Sequence, residues 1–278
     1  MNEGTADRYG VMGYPVSHSR SPIIHRLFAL QTKQNLQYEL LQVAPEKLEE
    51  AVKQFARTGG KGLNITVPHK RDVVSLVDGM SDRARKAGAV NTLIFSNDEI
   101  LGDNTDGVGL MHDLQSNIGV RLKDANILIL GAGGATRGII APLLSANPET
   151  VVIANRTIER AQELAAHFSV DGPVIACRFR DVGAAPVYDL IINATSAGLT
   201  GDSPPYPAAA IHENTICYDL SYGLTPTPFA KWAAEHGAAR SVMGWGMLVE
   251  QAAESFFLWR GVRPDTAPVL KQLTVNIS

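Results

Sequence analysis

The segment Asn126–Thr157, NILILGAGGATRGIIAPLLSANPETVVIANRT, constrains this 278-residue chain more than any other stretch. Ile127–Leu130 is a short apolar run rich in branched side chains, the pattern of a buried parallel strand. Gly131, Ala132, Gly133, Gly134 and Ala135 follow it. The three glycines permit a tight turn with close backbone approach, and the amides opening the next helix suit a pyrophosphate. GAGGATRG departs from the usual GxGxxG spacing, and a lone glycine-rich turn is a weak signal. The next element strengthens it. Thr150–Ala154 (TVVIA) reads as a second parallel strand ending in Asn155-Arg156-Thr157, about 24 residues after Gly131. An NAD site usually places a carboxylate there for the ribose hydroxyls; this chain has Arg156, with Arg160 one helical turn on. Guanidinium groups match phosphate, so the pair suits the 2′-phosphate of NADP. The plainer alternative is a helix N-terminus beside an ordinary surface arginine pair.

The length allows two modest domains or one large one. A formal net charge of -3, with scattered lysines and arginines, argues against nucleic-acid or membrane-surface binding. The opening MNEGTADRYG lacks the charged-then-apolar pattern of a signal peptide, and no run is apolar for the length a bilayer requires. Cys177 and Cys217 are isolated in strand-like runs and read as small core residues rather than a disulfide or metal site. A cytoplasmic protein is expected.

Upstream, Tyr9–Tyr14 reads as an opening strand. Val16–Pro22 places three serines before a helix, with Ser21 as its cap and Pro22 in its first turn. Capping needs one serine, so Ser17 and Ser19 remain available to bind a polyol or carboxylate. In Gly62–Lys70 (GLNITVPHK), Asn64 and Thr66 share one face of an alternating strand, and Lys70 follows its end. This is either one wall of a substrate site or a solvated edge strand. Ile100–Gly109 (ILGDNTDGVG) crowds Asp103, Asn104, Thr105 and Asp106 between glycines. These are too close together for a calcium loop and lack its later glutamate, so a carboxylate for proton transfer or hydroxyl recognition is the better use, and no metal is expected.

Val108–Ile118 reads as a helix leading into a βα rhythm. Strands are expected at Ile127–Leu130, Val151–Ala154, Val174–Cys177, Leu190–Asn193 and Ile216–Asp219, alternating with helices near Gly134–Ser145, Ile158–His167 and Pro226–His236. Thr195 and Ser196 follow the fourth strand, where a doubly wound sheet binds ligands. Tyr222 follows the fifth. Gln251 lies within a long helix, Met247–Trp259, either as an exposed residue or as a ligand contact.

Together the motifs YPVSHSRSP (14–22), NITVPHK (64–70), GAVNTL (88–93), GDNTDGVG (102–109), GAGGATRG (131–138), NRT (155–157), NATSAG (193–198), DLSY (219–222) and GMLVEQA (246–252) resemble the NADP-dependent shikimate dehydrogenase family. They occur in order over nearly the whole chain. The resemblance implies a two-domain α/β protein. Residues 1–110 with 245–278 would form a substrate domain built on a mixed sheet, and residues 111–244 a Rossmann-like, doubly wound NADP domain, with the active site in the cleft between them. It implies Lys70 and Asp106 as the catalytic pair. Ser17, Ser19, Asn64, Thr66, Asn91, Tyr222 and Gln251 would hold the substrate, while Gly131–Ala135, Asn155, Arg156, Thr157 and Arg160, with Leu220 and Gly244 near the nicotinamide, would hold the cofactor. Leu220 stands where methionine is frequent, and Met243 where an acidic residue is common.

The implied reaction is the reversible reduction of 3-dehydroshikimate by NADPH, a step toward chorismate and the aromatic amino acids. A lysine ammonium beside the carbonyl oxygen would stabilise its growing charge and donate the proton. Side-chain hydroxyls and amides suit a triol carboxylate, because they are left unsatisfied by an analogue lacking a hydroxyl. Other readings are a quinate/shikimate dehydrogenase with relaxed cofactor choice, a dehydrogenase of another small hydroxy acid, and a non-catalytic dinucleotide sensor. Monomer and homodimer both fit.

Overall fold

The computed structural model describes residues 5–183, 186–195 and 206–275. The chain divides into two compact units, Met1–Gly109 with Leu248–Gln272, and Leu110–Met247 with Leu273–Ser278.

In the first unit the strands are β1 (Asp7–Gly13), β2 (Leu36–Gln42), β3 (Gly60–Ile65), β4 (Gly79–Met80), β5 (Thr92–Ser96) and β6 (Glu99–Asp103). They form a mixed sheet in the order β2-β1-β3-β5-β6-β4. β1 runs parallel to β2 and β3, whereas β5 runs antiparallel to β3 and to β6. Asn97 and Asp98 turn the chain between β5 and β6 with φ of 51° and 63°, which their short polar side chains tolerate. β3 therefore lies inside the sheet, and the edge-strand alternative falls. Helices α1 (Ser21–Thr32), α2 (Leu48–Arg57) and α3 (Asp82–Ala87) accompany this sheet, and Met12, Val52, Leu63, Ile65 and Leu93 lie at the centre of its core.

One local expectation is corrected at α1. Ser21 is the first helical residue rather than the cap, and Arg20 takes the cap position with no side-chain bond. The turn closed by Ser19 N donating to Val16 O (3.0 Å) already bends the chain, so Ile23 and Ile24 donate their amides to Arg20 O. Ser19 Oγ instead accepts from Ser21 N at 3.3 Å.

Helix α4 (Asp106–His112) begins at a carboxylate two residues earlier than its apolar pattern suggests, and runs on as a wider π-helical turn through Ile118.

The second unit carries β7 (Asn126–Leu130), β8 (Thr150–Asn155), β9 (Val174–Arg178), β10 (Leu190–Asn193), β11 (Ile216–Asp219) and β12 (Arg240–Met243), all parallel, in the order β12-β11-β10-β7-β8-β9. Helices α5 (Gly134–Ser145), α6 (Ile158–Phe168) and α7 (Pro228–Glu235) alternate with the strands. Winding out from β7 in both directions creates a topological switch point between β7 and β10, where such sheets open a ligand crevice. β12 is absent from the sequence reading: four residues, two of them exposed, carry too little apolar pattern to announce a strand. Cys217 is buried as expected, but Cys177 is only half-buried because β9 is the outermost strand.

The last helices are α8 (Trp245–Arg260) and α9 (Ala267–Thr274). Among the described residues no helix is long and apolar enough to cross a membrane.

Candidate active site

The topology of the first unit gathers the polar candidates at one edge of its sheet. β1 and β3 both end there, and β5 begins there beside the end of β6, with Thr92 opposite Asp103. The loops after β1 and β3 are stitched together by Tyr14 N donating to Val67 O (2.9 Å) and Thr66 N to Met12 O (2.9 Å). Gly13 is required here, since a Cβ would sit 2.4 Å from Thr66 Cγ2. Ser17 is exposed and Ser19 and Thr66 are half-buried at this edge, while Asn64 is buried.

The centre is an ion pair. Lys70 Nζ donates to Asp106 Oδ2 at 2.6 Å, with the two side chains 12% and 5% exposed. Such a pair is held in place by hydrogen bonds to its remaining atoms. Asn91 Nδ2 donates to Asp106 Oδ1 (2.9 Å) and lies 2.9 Å from Thr105 Oγ1. The Asp106 amide donates to Asn104 Oδ1 (3.1 Å), and Asn104 Nδ2 donates to Ala89 O (2.9 Å). The four-residue polar run at 103–106 thus bonds to itself and to the segment Ala89–Asn91 that leads into β5. Among the described residues no group of three or more His, Cys, Asp or Glu side chains is arranged to hold a metal ion.

Gln251, on α8, has its Oε1 3.5 Å from both Asn91 Nδ2 and Thr105 Oγ1, and its own amide donates to Leu248 O (2.8 Å). Gly109 allows this approach, because a Cβ there would lie 2.7 Å from the Gln251 backbone nitrogen.

Two site residues escaped sequence reasoning. Ser255, one turn after Gln251, sits with its Oγ 2.9 Å from both Asn64 Nδ2 and Thr92 Oγ1. Its i+4 spacing from Gln251 was the available signal. Tyr38 on β2 donates its hydroxyl to Asn64 Oδ1 at 2.7 Å and so sets which way that amide faces. No sequence signal marks that contact. Tyr38 is stacked on fully buried His25 (centroids 4.2 Å apart), whose pKa burial pushes down to about 3, keeping the ring neutral.

In the second unit, the cofactor candidates fall at the carboxyl ends of adjacent parallel strands. Gly131 follows β7 with φ 108°, and a Cβ there would meet Ala194 O at 3.0 Å, at the switch point itself. Thr136 Oγ1 donates back to Gly131 O (2.9 Å) and closes the turn. Gly133 precedes α5 with no side-chain cap, and the space its Cβ would occupy is open. The helix start therefore offers amides to an anion at a point where backbone can be approached closely. At the end of β8, Asn155 Nδ2 donates to Thr157 O (2.8 Å), and Arg156 and Arg160 beyond it are exposed without an ion pair among the described residues. A free helix N-terminus followed by two such guanidinium groups fits a phosphorylated dinucleotide.

Beyond β10, Thr195 gives its hydroxyl to Asn193 Oδ1 (2.7 Å), and Asn193 Nδ2 donates to buried Asp219 (3.0 Å). Burial pushes the Asp219 carboxyl up from its ordinary range, against bonds from Thr227, Ser221 and Asn193. Ser196 lies outside the described residues. Leu220 follows β11 and Gly244 follows β12; a Cβ at Gly244 would meet Leu220 O at 2.7 Å, so only glycine lets these two strand ends close. Tyr222 also belongs to this unit and packs on Trp245 (centroids 4.8 Å apart).

A doubly wound parallel sheet with a glycine-turned helix start, joined in one chain to a mixed-sheet unit holding a buried lysine–carboxylate pair, defines a two-unit α/β protein of the dinucleotide-dependent dehydrogenase class. Three family descriptions match along the chain: "Shikimate dehydrogenase substrate binding domain" over residues 11–93, "Shikimate / quinate 5-dehydrogenase" over 113–200 and "Shikimate 5'-dehydrogenase C-terminal domain" over 244–274. The chain is 53% identical over 268 residues to the shikimate dehydrogenase (NADP(+)) of Methylococcus capsulatus, covering 96% of each chain. Among solved structures, an Ael1 enzyme from Pseudomonas putida superposes with a TM-score of 0.88 at 44% identity, over 98% of this chain and 100% of that one. Shikimate 5-dehydrogenase from Thermus thermophilus, solved with NADP(H) and shikimate, gives a TM-score of 0.83 at 32% identity, over 97% and 99%. The chain belongs to the shikimate dehydrogenase (NADP+) family.

Proposed function

We propose that this chain catalyses the reversible, NADP-dependent interconversion of 3-dehydroshikimate and shikimate, an oxidoreductase step of chorismate and aromatic amino-acid biosynthesis. The observation that carries the mechanism is the Lys70–Asp106 pair at 2.6 Å, fixed by Asn91. Residues Met1–Gly109 with Leu248–Gln272 serve as the substrate and catalytic unit, and Leu110–Met247 as the NADP unit.

When bound, NADPH supplies the hydride; the amides at the start of α5 hold its pyrophosphate and Arg156 and Arg160 its 2′-phosphate. Ser17, Ser19, Asn64, Thr66, Asn91, Tyr222 and Gln251 contact the substrate's carboxylate and hydroxyls. Lys70 faces the carbonyl oxygen, stabilises the charge that grows on it and gives up an Nζ proton as the alcohol forms. In the oxidation direction the Lys70 amine takes that proton back. Asp106 and Asn91 keep the amine aimed, so no reorganisation is needed as the charge develops.

Steady-state oxidation of shikimate and of quinate, each with NADP and with NAD, tests the reading through the absorbance of the reduced cofactor. Turnover concentrated on shikimate with NADP is expected. Equal rates with NAD would overturn the role given to Arg156, and no turnover with either acid would overturn the substrate. A cytoplasmic site of action is supported by the free thiols of Cys177 and Cys217. The assembly is a monomer or a homodimer, which sedimentation velocity decides; a larger species would refute both.

A further inference from the structure

Arg83, on α3, touches neither Lys70 nor Asp106, yet its guanidinium reaches two carboxylates belonging to two different parts of the site. Its Nε and Nη2 donate to Asp103 Oδ1 and Oδ2 at 2.6 and 2.9 Å, a side-on fork, while Nη1 donates to Glu254 Oε1 at 2.9 Å. Asp103 is the last residue of β6, and its Oδ1 also accepts from Ser81 Oγ (2.5 Å) and from the amide of Asn104 (2.6 Å). Asn104 in turn accepts the amide of Asp106. An unbroken run of bonds therefore leads from Arg83 to the carboxylate that orients Lys70. Glu254 lies on α8 three residues after Gln251 and one before Ser255, and Arg263 holds its other oxygen. Both carboxylates are buried.

We propose that Arg83 is a positioning residue that sets the distance between the 103–106 segment and the Gln251–Ser255 face of α8. The planar fork is what does this. A lysine would supply the charge but could not hold both carboxylates in one geometry. The inference rests on the functional reading of Lys70, Asp106 and Gln251 given above.

The two arms of the clamp predict separable kinetic faults. Asp103→Asn, which loosens the segment carrying Asp106, should lower kcat for shikimate by about 10-fold or more with a smaller change in KM. Glu254→Gln, which frees the helix carrying Gln251, should raise the KM for shikimate with less effect on kcat. Arg83→Ala should show both faults, on the order of 10–100-fold in kcat/KM, with NADP affinity by fluorescence titration unchanged. Millimolar guanidinium should restore part of its kcat, and Arg83→Lys should remain impaired. Wild-type kinetics in folded Arg83→Ala would overturn the proposal, as would equal kcat and KM effects in Asp103→Asn and Glu254→Gln. Should Arg83→Ala fail to fold, those two variants and Arg83→Lys decide the matter. Failure of the wild-type enzyme to oxidise shikimate would strike the underlying functional reading instead.

Discussion

Lys70 has its ammonium 2.6 Å from Asp106, and Asn91 holds the other carboxylate oxygen. Positioned proton transfer contributes about 10²–10⁴-fold. Lys70→Ala should therefore lower kcat by that order, read in steady-state shikimate oxidation; unchanged kcat with only a raised KM would remove Lys70 from the proton path. Tyr38 makes a second test at this scale. Tyr38→Phe keeps the ring stacked near His25 but takes away the donor to buried Asn64 Oδ1. An acceptor left unsatisfied in the interior costs about 1–3 kcal/mol. A urea midpoint lowered accordingly, together with weaker shikimate binding, is the expected result.

The cluster formed by α3, the end of β6 and α8 ties stability to acid. For Asp103, burial works against ionisation more than any other single influence, yet the bonds and charge of Arg83 and the Ser81 hydroxyl together hold the carboxyl below its ordinary range. Glu254 is held low in the same way by Arg263 and Arg83 against burial. A carboxyl depressed in the folded state stabilises the fold above its unfolded pKa of about 4, and that contribution is lost as pH falls through the folded value. Urea unfolding should show this contribution constant from about pH 7 to 5 and declining below about pH 4. Arg83→Ala should lose less stability on acidification than the wild type, so an equally steep decline would contradict the assignment. Beyond β8, Arg156 and Arg160 stand exposed, with no ion pair among the described residues. Replacing both with alanine should raise the KM for NADP by about 10-fold or more while leaving that for NAD within about twofold, as expected for guanidinium contacts to one phosphate.

For the whole molecule, binding should divide between the two units. Gly133 has ordinary extended-side backbone (φ -98°) and open space where a Cβ would go, so Gly133→Val is compatible with the fold of α5. The added methyls would occupy the approach to the helix start. NADP should then bind at least about 10-fold more weakly and lose its thermal protection, whereas shikimate should still raise the melting temperature by mass action. Parallel loss of both ligands would contradict a division of labour between the units.

Much of the second unit is legible from local pattern: consecutive βα repeats bury continuous apolar strands, and the turn at Gly131–Gly134 needs residues without side chains. The motifs in order were enough to identify the family. Lys70 stood out as a cation following a strand end and Asp106 as one of a polar run between glycines, whereas Asn91 and the pairing of Lys70 with Asp106 came from the family resemblance alone. β12 was illegible because an edge strand need not be apolar, and Cys177 packs against the core but is less buried than expected because burial depends on which strand lies outermost. Arg20 took the cap position expected of Ser21 because an upstream turn supplied the first carbonyl. What the sequence determined by itself was the chemistry on offer, through short-range periodicity, glycine placement and residue type. Only the tertiary structure decided which groups meet: that Tyr38 turns Asn64, that Ser255 joins Thr92, and that Arg83, besides holding Asp103, reaches Glu254 171 positions along the chain. Those contacts depend on strand order and helix packing, which bring together residues that no local pattern connects.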